Sequence, residues 1–132
     1  MSEFFSLERV DHFVLTTSQP EEMIRFYSFL GFVVKKDGER FAISAPNFKI
    51  NLHVVGHELE PKANKPTPGS GDFCIEIHTD LTPEELAKRL SEKGLNVILG
   101  PVSRHGVKGS MTSVYLRDPD ENLVELSVYP RR

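Results

Sequence analysis

MTSVYLRDPDENLVELSVY, residues 111–129, consists of two period-2 runs joined by Asp118, Pro119, Asp120 and Asn122, which turn a chain and cannot extend a central strand. The pattern predicts a β-hairpin. In the second run Val124, Leu126 and Val128 share the core face, and alternation turns Glu125 the other way, between Leu123 and Ser127. A carboxylate centred on a short apolar strand is either solvated on an outer face or aimed into a cavity. Exposed Glu on the polar face of an antiparallel sheet is common, so this strand by itself favours the solvated reading.

The rest of the chain shifts that balance. Residues 9–17, RVDHFVLTT, alternate, with Val10, His12, Val14 and Thr16 on one face and Asp11, Phe13 and Leu15 on the other. Ser18 with Glu21 reads as a capping box, Pro20 suits the first helical turn, and Met23, Phe26, Tyr27 and Leu30 form one apolar stripe that Gly31 ends. Strands follow near 32–36, 40–45 and 48–55, with Asp37-Gly38 as a hairpin turn. Residues 56–70, GHELEPKANKPTPGS, have no periodicity and read as a linker or lid. The same order then returns: a strand at 72–79, a helix opened by Thr82, Pro83 and Glu85 and striped by Leu86, Ala87 and Leu90, Gly94, and strands near 95–99, 112–117 and 123–129.

The two copies can be aligned residue on residue. Pro20, Glu21, Glu22 and Gly31 fall on Pro83, Glu84, Glu85 and Gly94; Phe13 and Leu15 fall on Ile75 and Ile77; Ile50 and Leu52 fall on Val124 and Leu126. The expected architecture is α+β: two β-α-β-β-β modules, 8–57 and 71–130, with a linker or lid at 58–70, in one domain with a curved mixed sheet. His12, Asn51, Cys74 and Glu125 then occupy equivalent positions on the faces away from the helices. His, Cys and Glu are metal-ligand types, which raises Glu125 above a surface carboxylate.

Bulk composition excludes other classes. A net charge of −3 with pI near 5.9 leaves no basic footprint, and Lys35-Lys36 and Arg131-Arg132 are too short for nucleic acid binding. One cysteine rules out an internal disulfide framework and fits a reducing, cytoplasmic setting. No apolar run approaches a membrane span, and the N-terminal residues resemble no targeting segment.

The duplicated module, D-H-F-V-L in the first strand, F-Y-x-x-L-G-F from Phe26 to Phe32, and R-D-P-D-E-N-L-V-E-L near the end resemble the vicinal oxygen chelate superfamily of glyoxalase I, fosfomycin-resistance transferases, extradiol dioxygenases and bleomycin-resistance proteins. The resemblance runs from about residue 8 to 130. K-I-N-L-H and the insert at 60–70 look like the glyoxalase-domain proteins labelled virulence-associated. The resemblance implies a divalent metal (Ni, Zn, Mn, Mg or Fe), a small-molecule substrate and a homodimer. It makes His12 the first ligand and Glu125 the last, while Asn51 and Cys74 stand where a carboxylate and a His are expected. His53, in phase with Asn51, is the candidate third ligand.

The expected chemistry is lyase or isomerase action on an α-oxo or vicinal-dioxygen compound, with Glu125 as the proton-transferring carboxylate and Glu76 as the alternative. Asn51, Cys74, His78, Arg104, Lys108 and Tyr115 are the candidate substrate-lining residues, Arg104 and Lys108 as anion contacts. Each has a plainer reading: Cys74 as an inert buried residue, His78 beside Glu76, loop cations in solvent, Tyr115 and Arg117 packed across the hairpin. His57 and His105 are assigned to solvent. Two other functions compete: a metal-free small-molecule binding protein of the bleomycin-resistance kind, and an extradiol dioxygenase using His12, His53 and Glu125.

Overall fold

The computed structural model describes residues 4–131, which form two compact units, one running to Thr67 and the other beginning at Pro68. In the first unit the order is β1 (His12–Thr17), α1 (Pro20–Phe29), β2 (Val33–Asp37), β3 (Arg40–Ser44) and β4 (Lys49–Val54), giving one four-stranded sheet ordered β1-β4-β3-β2. β1 runs parallel to β4, and the other pairs are antiparallel. The second unit repeats this plan with β5 (Asp72–Glu76), α2 (Pro83–Glu92), β6 (Asn96–Gly106), β7 (Gly109–Arg117) and β8 (Leu123–Val128), ordered β5-β8-β7-β6. The duplicated module is therefore present as two mixed four-stranded sheets.

Register puts Phe13, Leu15, Ile50, Leu52 and Ile43 on one face of the first sheet. The buried residues Leu15, Ile43, Ile50 and Leu52 make the core of this unit with Met23, Phe26 and Tyr27 of α1. Each contributes about 1.5–3 kcal/mol on leaving water. The F-Y-x-x-L-G-F segment earns its residues through ring contacts: Phe26, Tyr27, Phe32 and Phe48 meet edge to face in sequence at 4.9, 5.6 and 5.8 Å. Gly31 makes this possible by ending α1 at φ 106°, a region closed to most side chains.

Helix starts differ between the copies. The capping box expected of Ser18 and Glu21 does not form: the N-cap is Gln19, with no side-chain capping bond. Pro20 begins the helix one residue later than that box requires, and Thr17 Oγ1 instead accepts the Gln19 amide at 3.0 Å. On α2 the box is complete. Glu85 N donates to Thr82 Oγ1 at 3.1 Å, and Glu85 Oε1 accepts from Thr82 N at 3.3 Å. The stripe of α2 packs against β6 and β7, although none of its residues is fully buried.

The β6–β7 hairpin is longer than the sequence suggests. The segment expected as a Gly-flanked loop, Arg104 to Gly109, is paired strand on both sides of a two-residue turn, with Gly106 opposite Gly109. Two register shifts between Val97 and Val102 carry the chain past Pro101, a residue that sheets accommodate at such irregularities of a terminal strand. Gly100 sits at φ 118°, and a Cβ there would lie 2.6 Å from Ser113 O. The turn before β8 is a buried polar knot. Asp118 Oδ1 accepts the amides of Asp120 at 2.9 Å and Asn122 at 3.0 Å, and Oδ2 accepts from Asn122 Nδ2 at 2.8 Å. Asn122 Oδ1 accepts from Gly71 N at 2.7 Å, tying the start of β5 to the hairpin.

Candidate functional site

In each unit the sheet face opposite the apolar core carries the candidate residues. On the first, the β1–β4 register sets His12 beside Lys49, Val14 beside Asn51 and Thr16 beside His53. His12 is exposed, and its Nδ1 lies 2.9 Å from Asp11 Oδ1. That contact holds the Asp11 carboxyl below its usual pKa and orients the ring, leaving Nε2 as the outward nitrogen. His53 is buried, and burial first, then the Arg40 cation, pushes its imidazole pKa down against the opposing pull of Glu58. His12 and His53 share a face, yet four register steps separate them, about 13 Å along the strands. Two imidazoles at that spacing do not meet on one ion, so within this sheet His53 does not join His12 as a ligand.

On the second face, Glu125 is flanked by Cys74 on β5 and Tyr115 on β7. Its Oε2 accepts from Ser113 Oγ at 2.6 Å and from Ser127 Oγ at 3.1 Å. Ser113 and Ser127 are both fully buried and lie 2.7 Å apart, and Cys74 Sγ is 3.0 Å from Ser127 Oγ. Burial pushes the Cys74 thiol up, with the Glu125 and Glu76 charges adding to the rise.

The predicted loop cations are not free. Arg104 Nε donates to Tyr115 Oη at 2.9 Å, and its guanidinium lies 5.4 Å from that ring centre. Lys108 Nζ donates to Glu76 Oε2 at 3.0 Å and stands 5.3 Å from the Tyr129 ring centre. Glu76 therefore faces a cation. His78 and Asp80 both contact Arg131, the latter at 3.1 Å. Glu76, His78, Lys108, Tyr129 and Arg131 line a groove of about 660 Å³ whose apolar wall includes Ile77 and Val128. His57, assigned to solvent, meets Glu39 Oε2 at 3.1 Å.

Ser113, Ser127, Tyr129 and Arg131 were missed by sequence reasoning. Ser127 and Tyr129 are in phase with Glu125, so strict alternation marks both; Ser113 needed the hairpin register, and nothing in the sequence singled out Arg131.

Residues 9–126 match the sequence profile of the Glyoxalase/Bleomycin resistance protein/Dioxygenase superfamily. The chain belongs to this superfamily. It is 45% identical over 125 residues to a glyoxalase domain-containing protein, RDO1, of Mycosarcoma maydis, covering 94% of this chain and 70% of that protein. It is 42% identical over 125 residues to the virulence protein STM3117 of Salmonella typhimurium, covering 93% and 85%. The crystal structure of STM3117 superposes with a TM-score of 0.87 at 41% identity, over 96% of this chain and all (100%) of the other. The fold recurs in a lactoylglutathione lyase from Agrobacterium tumefaciens, with a TM-score of 0.61 at 22% identity over 92% and 94% of the chains.

Superfamily members often use divalent metals. Two side chains here fit such an ion chemically. His12 has one nitrogen engaged by Asp11, and Glu125 has one oxygen engaged by two serines, so each presents a single oriented donor atom. Among the described residues no three His, Cys, Asp or Glu side chains gather at metal-ligand spacing.

Proposed function

We propose that this chain is a divalent-metal-dependent enzyme of the glyoxalase kind, a lyase or isomerase acting on a small α-oxo or vicinal-dioxygen compound. The observation that carries this reading is the preparation of Glu125: Oε2 is claimed by two buried hydroxyls, while Oε1 takes no hydrogen bond among the described residues. A carboxylate with one fixed and one working oxygen suits a proton-transfer step. His12 in the first unit and Glu125 in the second are each proposed as a metal donor; an ion bound there would supply Lewis-acid charge to substrate oxygens.

The chain's own residues do the rest. As a loosely held ligand, an ionised Glu125 takes the substrate proton at Oε1 when that oxygen is free of the ion, with Glu76 the weaker candidate because Lys108 already pairs with it. Lys108 and Arg131 give the groove a cationic end for a substrate carboxylate or phosphate, since exposed ion pairs with Glu76 and Asp80 are worth only about 0–1 kcal/mol and exchange readily. Asn51 and Tyr115 offer polar contacts on their own faces. Residues 58–70 serve as a lid, so saturating ligand should protect them from protease.

Metal analysis of protein purified without chelator tests the reading. Retention by the parent, and its loss in both His12→Ala and Glu125→Ala, is the expected result; full occupancy in Glu125→Ala overturns the donor assignment. The alternative is a metal-free binding protein, favoured by Cys74 and Asn51 standing at positions where other ligands are expected. It predicts ligand affinity unchanged by EDTA. The dioxygenase reading loses support because His53 stands four register steps from His12.

A further inference from the structure

We infer that Ser127 and Ser113 form a directed hydrogen-bond relay, running from the Cys74 thiol to Oε2 of Glu125, that fixes this carboxylate and leaves Oε1 as its working oxygen. The number of hydrogens limits the directions these contacts can take. Four contacts join the four side chains: Ser113 to Glu125 at 2.6 Å, Ser127 to Glu125 at 3.1 Å, Ser113 to Ser127 at 2.7 Å, and Cys74 to Ser127 at 3.0 Å. Only three hydrogens are available, one on the thiol and one on each hydroxyl, because a carboxylate brings none.

The shortest contact has the length of a charge-assisted O–H···O⁻ bond, so it takes the Ser113 hydrogen. The 2.7 Å contact between the serines then needs the Ser127 hydrogen, with the longer approach of Ser127 to Glu125 as a minor shared arm. The Ser127 oxygen is left to accept, and among the described residues the Cys74 S–H is the donor that faces it. This arrangement serves all four contacts with the three hydrogens and gives the two shortest the most direct ones. Both serines are fully buried, so solvent offers neither hydroxyl a competing partner. Hydroxyls aligned head to tail polarise one another, which strengthens the bond at the carboxylate end.

Ser113 and Ser127 are thus positioning residues for Glu125, and Cys74 is the relay's outer donor. This deepens the proposed function and rests on it for the role of Glu125. Infrared spectroscopy of the full chain, stripped of metal and without substrate, reads the relay directly. Cys74 is the single cysteine, so one S–H stretching band reports whether the thiol donates. The parent protein is expected to show the lowered frequency of a hydrogen-bonded thiol. Cys74 is exposed, so Ser127→Ala should move the band to that of a thiol in contact with water, while Ser113→Ala and Glu125→Gln should move it part of the way.

A parent band already at the position of a thiol in contact with water overturns the relay, because the Cys74 hydrogen would then not lie on Ser127. A band unmoved by Glu125→Gln overturns the carboxylate as its terminus. Should Ser127→Ala fail to fold, the parent band and the two other variants still decide. The measurement needs no metal, so loss of the metal reading leaves the relay standing, and loss of the relay leaves the metal reading intact.

Discussion

Glu125 and His12 are each held through one atom and open at the other, and that asymmetry makes them more than surface charges. Removing a group that orients a ligand typically costs 10–100-fold in metal affinity, so Ser113→Ala should weaken retention by about that factor with the fold unchanged. Isothermal titration with Mn²⁺, alongside circular dichroism, checks this. His53 gives a pH prediction. Its imidazole is held below the usual value of 6.5 in the folded chain, chiefly by burial, so the unfolded chain binds a proton there first as pH falls. Stability contributed by neutral His53 is complete above the unfolded value and is lost as pH drops through it toward the folded value. Urea denaturation between about pH 7 and 5 should show a shallower loss for His53→Asn than for the parent. Alternation alone identified the polar faces bearing His12, Asn51, Cys74 and Glu125. It could not set the offset between parallel β1 and β4, because composition does not fix how far two strands slide, and so it placed His53 beside a ligand it does not reach.

At the scale of elements, the copies share a pattern but not every local bond. Both helices read as capping boxes in sequence, and only α2 forms one. Thr82→Ala should therefore cost about 1 kcal/mol, the usual worth of an N-cap, while Ser18→Ala should be close to neutral in the same thermal melt. The turn before β8 is a sharper case. Asp118 is 4% exposed and Asn122 is 1% exposed, so each relies on the other and on the turn amides for its hydrogen bonds. Asp118→Ala leaves buried donors unpaired at about 1–3 kcal/mol each, and a denaturant midpoint should fall accordingly. The sequence identified this turn from Asp118, Pro119, Asp120 and Asn122. It missed the length of the β6–β7 hairpin, because Gly100-Pro101 reads as a break where the chain in fact bulges and continues. Burial was legible for α1, whose stripe includes three aromatic or sulfur side chains. It was overestimated for α2, whose stripe of Leu86, Ala87 and Leu90 offers less to cover.

At the scale of the whole molecule, apolar side chains remain uncovered. Phe29 and Val33 are 52% and 59% exposed in the first unit, and Ile98 and Leu99 are each 46% exposed in the second. Val33 lies on β2 and Ile98 and Leu99 on β6, the terminal strands of their respective sheets. Terminal strands present unpaired backbone groups, and proteins that stay monomeric blunt them with charge, proline or a cover. Lys35 and Lys36 on β2 and Pro101 on β6 do part of that work, which argues against open-ended strand addition. The apolar residues beside them argue for a closed partner. Closed two-fold pairing is the commonest arrangement for soluble oligomers and satisfies both features, since it covers a patch without leaving another exposed. The chain is therefore expected to sediment as a dimer at micromolar concentration. Val33→Lys and Ile98→Lys, each placing a charge where a partner would bury it, identify which unit provides the contact: the variant that sediments as a monomer marks the interface. A parent protein that sediments as a monomer at that concentration refutes the dimer.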